Sequence, residues 1–221
     1  MEINKKYFTL AGLLILIVGL TGCLNNSSPE EKIYDTLEEV ASLEKDFKEQ
    51  QEPLQKLEEE DNEIYGKIIQ LGMKELEEIQ ALSNDAIEGI EERKELMEKE
   101  KAAINKAKER FKDIDGQIKE LEDTSLQTEA NNLKEIMTNR FDAYDELYNN
   151  YTTSLEQETK LYELFKEKDA EKEDLEAKIE EINKTYNSLM DSNKRFNELT
   201  NEYNEEKIAF YKNAKLDVDV E

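Results

Sequence analysis

From Leu175 to Phe210 every seventh residue is large and apolar: Leu175, Ile182, Leu189, Phe196, Tyr203 and Phe210. A seven-residue period keeps one stripe of an α-helix turned toward a partner along its whole length. A strand cannot do this, because its side chains alternate every two residues. The alternate seam position reads Ile179, Tyr186, Asn193, Thr200 and Lys207, and polar residues there lower stability but fix register. The pattern predicts a helix from around Asp169 to about Asn213.

The same period governs the chain upstream. Met137, Phe141, Tyr144, Tyr148, Tyr151, Leu155, Tyr162 and Phe165 recur at helical spacing, and Leu126, Leu133, Leu147 and Leu161 fall on multiples of seven beside them. A stripe that wide faces two neighbours. Thr124 and Gln127 are spaced as a capping box opening this helix. Before it, a helical pattern from Leu54 to Leu121 carries two stripes. The early one is Leu54, Leu57, Ile64, Ile68 and Leu71; the later one runs from Ile90 through Met97, Ile104, Phe111 and Ile118. Their phases differ by one residue, and the slip must be absorbed between Leu71 and Ile90. Gly72, Ser83-Asn84-Asp85 and Gly89 lie in that window, which predicts a bend or short break near residue 84. At the start, Ser28 and Glu31 make a capping box with Pro29 in the first turn. Ile33, Leu37, Val40, Leu43 and Phe47 then mark a helix ending near Gln50. Pro53 lacks a backbone donor and follows the polar run Glu49 to Glu52, which predicts a reversing turn.

These elements predict an all-α fold: an elongated antiparallel bundle or coiled coil of three long helices plus an N-terminal helical hairpin. The hairpin is assigned to residues 29–83, the three-helix bundle to 84–215 and an acidic tail to 216–221. Charged residues make up 38% of the chain, with 7 glycines, 2 prolines and neither tryptophan nor histidine, a composition of long charged helices. A net charge of −25 also suits disorder, but the regular apolar spacing argues against it. So acidic a surface repels nucleic acid and anionic polymers. Heptad seams also permit homo-oligomers.

Catalytic chemistry finds little to work with. Without histidine there is no ordinary triad base and no imidazole metal ligand, and no P-loop, dinucleotide-binding glycine motif or CxxC occurs. A glycosidase-type carboxylate pair needs a partly buried setting to separate two pKa values, which the solvated positions of heptads do not supply. The sequence therefore predicts no enzyme, no cofactor and no metal. The runs Glu58-Glu59-Glu60-Asp61 and Asp217/Asp219/Glu221 read as a solvated acidic face and a frayed end. Tyr144, Tyr148 and Tyr151 are the candidate ligand-binding residues, since tyrosines along a groove can stack on sugars. The competing reading is a packed seam in which tyrosine buries its ring and wets its hydroxyl. Tyr34, Tyr65, Tyr186, Tyr203 and Tyr211 are read as seam residues in the same way.

Residues 1–22 read as an export signal: Lys5 and Lys6, an apolar run from Tyr7 to Leu20, then small residues. Leu20-Thr21-Gly22-Cys23 resembles the lipobox of bacterial lipoproteins. In such proteins the cysteine receives a diacylglyceryl group and becomes the first residue after cleavage. Cys23 is the one cysteine of the chain, so it has no intramolecular disulfide to make. A plain secretory signal is the competing reading. The apolar run is shorter than the ~20 residues a spanning helix needs. Residues 23–28 then form a short tether.

Together with the lipobox, two stretches resemble the cell-wall-binding lipoproteins of Gram-positive bacteria, the YkyA-like family. One is SPEEKIYDTLEEVASLEKDFKEQQEPLQKLEEEDNEIY, Ser28 to Tyr65; the other is the tyrosine-rich segment through LYELFKEKD, Leu161 to Asp169. The resemblance implies an all-helical lipoprotein on the outer face of the cytoplasmic membrane, anchored through Cys23 and facing peptidoglycan. It supplies no catalytic residues. A wall-facing binding or spacer element is the first expectation, with peptidoglycan or an envelope protein as partner. An envelope chaperone or assembly adaptor gripping clients between its helices is the alternative. A solute-binding lipoprotein, which needs alternating strands, and a peptidoglycan hydrolase rank below both.

Overall fold

The computed structural model describes residues 27–71 and 75–216, and every regular element among them is an α-helix. In chain order these are α1 (Pro29–Leu43), α2 (Lys45–Gln70), α3 (Leu76–Phe111), α4 (Ile114–Glu120), α5 (Thr124–Phe165) and α6 (Lys172–Asn213). The all-α expectation holds. Cys23 and its lipobox, Leu20, Thr21 and Gly22, lie outside the described residues, as does the acidic tail from Asp217.

The capping box at the start is formed as expected. Glu31 N–H donates to Ser28 Oγ at 3.2 Å, Ser28 N–H donates to Glu31 Oε2 at 2.8 Å, and Pro29 occupies the first turn. The reversing turn at Pro53 is absent. α1 passes into α2 with one irregular residue, Glu44, and i→i−4 bonds continue on both sides: Glu44 N–H to Val40 O and Lys48 N–H to Glu44 O. Pro53 sits inside α2 on an exposed position. A proline within a helix costs ~3 kcal/mol. Here one apolar register spans it without a phase slip, through Ile33, Val40, Phe47, Leu54 and Ile68, all buried. Ending the helix at Pro53 would expose half of that stripe.

The expected break near residue 84 lies earlier, between the end of α2 at Gln70 and the start of α3 at Leu76. α3 runs unbroken through Ser83, Asn84 and Gly89 because Ile79, Ser83, Ala86 and Ile90 already share one buried seam. The phase slip is thus absorbed before that seam begins. A second interruption, at Lys112 and Asp113, parts α3 from α4; the seam continues past it through Ile114, Ile118 and Leu121. α5 is capped one residue earlier than expected, by Asp123, whose Oδ1 accepts from Ser125 N–H at 2.7 Å and Leu126 N–H at 3.3 Å. A carboxylate is a good acceptor at the positive end of a helix.

The described chain divides into two compact units, and α2, α3, α5 and α6 contribute to both. Unit 1 holds residues 49–99 and 145–193, and unit 2 holds 27–48, 100–144 and 194–216. In unit 1, α5 runs antiparallel to α6, with Asn150 bonded to Ser192 and Gln157 to Glu181. It is also antiparallel to α3, where Tyr148 meets Glu98 and Lys166 O accepts from Gln80. α2 is parallel to α5: Glu58 meets Tyr151, and Asp61 meets Tyr162. In unit 2, α1 lies antiparallel to α3 and α4, where Lys32 meets Glu120, Thr36 meets Gln117 and Glu39 meets Arg110. Across the unit α5 and α6 pair antiparallel through Arg140 with Thr200 and Glu129 with Asn213. Each unit is therefore a bundle of four helical segments.

Candidate functional site: charged groups inside the bundle seams

The three candidate tyrosines are distributed over both units. In unit 2, Tyr144 is fully buried, with its ring edge-on to Phe47 and tilted against Phe196, both at centroid distances of 5.7 Å. Its hydroxyl lies 3.4 Å from the buried Glu100 carboxylate. In unit 1, Tyr151 is buried and donates to Glu58 Oε1 at 2.8 Å. Tyr148 is half-buried and donates to Glu98 Oε1 at 2.6 Å. Tyr144 and Tyr151 thus fill the interior, as the packed-seam reading has it, and neither ring is open to a sugar.

What the sequence did not reveal is the charge within these interiors. In unit 1 the Arg93 guanidinium donates to Glu158 Oε2 at 2.7 Å and lies 3.7 Å from Asp61 Oδ2. All three side chains are at most 3% exposed. Tyr186 donates to the other Glu158 oxygen at 2.6 Å and Tyr162 to Asp61 Oδ1 at 2.7 Å. One polar layer therefore draws on α2, α3, α5 and α6 at once. Burial works against the charge on Arg93, but Glu158 and then Asp61 outweigh it, and the guanidinium is held well above the usual arginine range.

Unit 2 carries a tighter pair. Arg140 forks onto Glu44, Nη1 to Oε1 and Nη2 to Oε2, both at 2.8 Å, while its Nε donates to Thr200 Oγ1 at 2.8 Å. The guanidinium also lies 4.7 Å from the Phe196 ring centroid, a cation–π contact in a desolvated setting. A turn and a half along α1 from the start of this layer, Lys207 Nζ donates to Glu38 Oε1 at 3.0 Å, and Tyr211 donates to the same oxygen at 2.8 Å. Burial pulls the Lys207 ammonium below the usual lysine range, and Glu38 acts in the opposite sense.

These carboxylates correct the expectation that acidic groups are solvated. Within Glu58-Glu59-Glu60-Asp61, Glu59 and Glu60 are exposed while Glu58 and Asp61 reach the inner tyrosines. A helix turns 100° per residue, so a run of four acids cannot keep all its members in water. The signal was in the exceptions to the registers. Arg140 and Ser154 stand where the series Leu126, Leu133, Leu147, Leu161 skips, and Asp61 stands between Leu54 and Ile68. Each is buried.

Such an arrangement does little chemistry. Every one of these buried carboxylates is engaged by a cation or a phenol, and the two that share a site, Glu158 and Asp61, are joined through Arg93. Its work is geometric. A heptad seam can slide by seven residues at modest cost, whereas a displaced Arg140 or Arg93 would leave charges unpaired in the interior. Among the described residues no group of three or more histidines, cysteines or acids is arranged to hold a metal ion, and no helix is long and apolar enough to cross a membrane.

The buried phenols make alkaline stability predictable. Tyr34 is raised to about 12 by burial and then Glu38, and Tyr148 to about 12 by burial and then Glu98. Burial first, then nearby carboxylates, holds Tyr151, Tyr162 and Tyr186 well above 10. In the unfolded chain all of these release protons near pH 10. Between pH 10 and 12 the folded state binds more protons than the unfolded one, so stability must fall as pH rises through that window. Tyrosinate absorbance is expected to appear late and to coincide with loss of helical circular dichroism. A gradual rise centred on pH 10 with the helices intact would contradict the packing described.

With this geometry in hand, the chain was compared with known proteins. A family model described as "Putative cell-wall binding lipoprotein", YkyA, matches residues 28–213. The chain belongs to the YkyA family. It is 30% identical over 192 residues to "Uncharacterized lipoprotein YkyA" of Bacillus subtilis (strain 168), covering 87% of this chain and 86% of that one. Its fold is similar to a crystal structure of a conserved protein of unknown function from Staphylococcus aureus. The TM-score is 0.66 at 19% identity, over 86% of this chain and 98% of the other. That likeness bears on the fold alone. Membership of the YkyA family places the chain among lipoproteins.

Proposed function

We propose that this protein is a non-enzymatic lipoprotein held on the outer face of the cytoplasmic membrane by a diacylglyceryl group on Cys23, where it serves as a wall-facing binding or spacer element. The observation that carries the reading is the sequence Leu20-Thr21-Gly22-Cys23 after a basic head and an apolar run, in a chain whose family is one of lipoproteins. Two acyl chains hold a protein to a bilayer far more firmly than one, at ~0.8 kcal/mol per buried methylene. The packed interiors support a spacer or surface binder over a client-gripping chaperone. A grip on unfolded clients needs open apolar surface, and among the described residues the large apolar side chains that stand exposed are Ile69 at 37% and Met190 at 39%.

Replacing Cys23 with alanine is expected to move the protein from the membrane pellet to the soluble fraction with its helical content unchanged. A variant that stays with the membrane would disprove the anchor. Binding is tested separately: the lipoprotein in detergent should sediment with purified peptidoglycan and release no muropeptides.

A further inference from the structure

The chain is charged almost everywhere, but one stretch is not. Leu147 to Leu155 is nine residues without a charge, the longest such run among the described residues, and Thr185 to Met190 is a further six. The fold of unit 1 lays these two against each other on neighbouring helices. Asn150 Nδ2 reaches from α5 across to Ser188 O at 3.4 Å and Ser192 Oγ at 3.3 Å of α6. Two helical turns further along α5, Gln157 meets Glu181 and closes the stretch with a charge. Between those two crossings α5 presents Thr153, and α6 presents Ser188 and Thr185. Asn149, Thr153 and Ser188 are exposed, and Asn150 and Thr185 half-exposed. The result is an uncharged outer seam about 7 Å long, at 1.5 Å per residue, furnished with amides and hydroxyls and bounded by the exposed Glu156 and Glu181, on a chain of net charge −25.

We infer that this α5–α6 seam is a binding surface for a neutral, N-acetylated glycan. The inference rests on the wall-facing reading above and names the surface through which it would act. Charge selects the occupant. The acidic exterior repels anionic polymers at any distance the salt does not screen, and a cationic partner would be drawn to the abundant acids elsewhere instead. A neutral polyhydroxylated chain is indifferent to both and gains only where side chains donate and accept hydrogen bonds without competing ions. Asn149 offers both roles to an acetamide and Ser188 both to ring hydroxyls, while Asn150 and Thr153, whose protons already go to Ser188, Ser192 and Asn149, offer acceptor oxygens. Neither Tyr144 nor Tyr151 can supply a stacking ring from the interior, so binding at this surface is by hydrogen bonds and weak for each sugar.

The test uses the full lipoprotein in detergent and peptidoglycan stripped of anionic polymer. The triple variant N149E/T153E/S188E alters exposed positions alone. A second triple, Q70E/A81E/N84E, adds the same charge at exposed positions of the same unit away from the seam. The first is expected to lose binding roughly tenfold, equivalent to one or two hydrogen bonds, and the second to bind like the parent. A soluble N-acetylglucosamine oligomer should compete with the parent. Equal binding by both variants, equal loss in both, or failure of the oligomer to compete would overturn the seam while leaving wall binding intact. A parent that does not bind stripped peptidoglycan would overturn the wall-facing reading as well. Circular dichroism of each variant confirms that the helices are retained.

Discussion

Replacing Arg140 with methionine is expected to destabilise the protein by ~3–5 kcal/mol, the cost of stranding a buried carboxylate. Arg140 bonds both oxygens of Glu44, and Glu44 is 4% exposed, so water cannot replace the lost fork. The pair itself is not a large net source of stability, because taking both ions out of water costs nearly what their attraction returns. The double variant E44L/R140M should therefore recover most of the loss in urea denaturation followed at 222 nm. Its weakness should be one of register: methionine and leucine fit at any heptad position, whereas the fork fits at one. A single variant within 1 kcal/mol of the parent would show that Glu44 finds water or another partner and that the pair is not a lock.

Replacing Arg93 with methionine is the counterpart in unit 1 and should act at least as strongly. Glu158 and Asp61 would lose their shared cation and confront each other at close range, with the Tyr186 and Tyr162 hydroxyls still donating. A loss of ~3–5 kcal/mol at neutral pH follows on the same grounds. The pH dependence distinguishes this from simple loss of packing. In the variant a buried carboxyl gains by taking up a proton, so the folded state binds more protons than the unfolded one as pH falls from neutrality. The deficit relative to the parent should then shrink on acidification. A methionine that merely packs badly would leave a deficit independent of pH. Denaturation midpoints at neutral and mildly acidic pH separate the two.

The registers made the helices legible, and they misled where local chemistry was allowed to overrule them. Leu175 to Phe210 marks α6 without exception, and Ser28 with Glu31 gives the start of α1 to the residue. Pro53 read as a turn because proline's cost is local and certain. The compensating burial of Ile33, Val40, Phe47, Leu54 and Ile68 is spread over about ten turns and becomes visible only when they are read as one series. The break was drawn to Ser83-Asn84-Asp85 by their turn-forming chemistry, yet Ser83 is small enough to occupy a seam position and is fully buried there. The candidate tyrosines divided in the same way: heptad position predicted their burial, and composition alone made them look like a sugar platform. The partners of Arg93, Arg140 and Lys207 were illegible for a different reason. A charge at a seam position is tolerable only if its counter-charge stands opposite. That pairing depends on how four segments align, which no single helix pattern records.

The capping box at Ser28 has a consequence for how far the anchored molecule can roam. Ser28 and Glu31 hold the first turn of α1 in place, and on the anchoring proposed here five peptide links separate Cys23 from Ser28. At 3.3–3.6 Å each these pay out at most ~18 Å, about half the thickness of a bilayer with its headgroups. On so short a leash the opening of α1, with Glu30 and Glu31, stays beside the lipid headgroups. Lengthening the leash with glycine and serine would test whether that closeness matters to the cell.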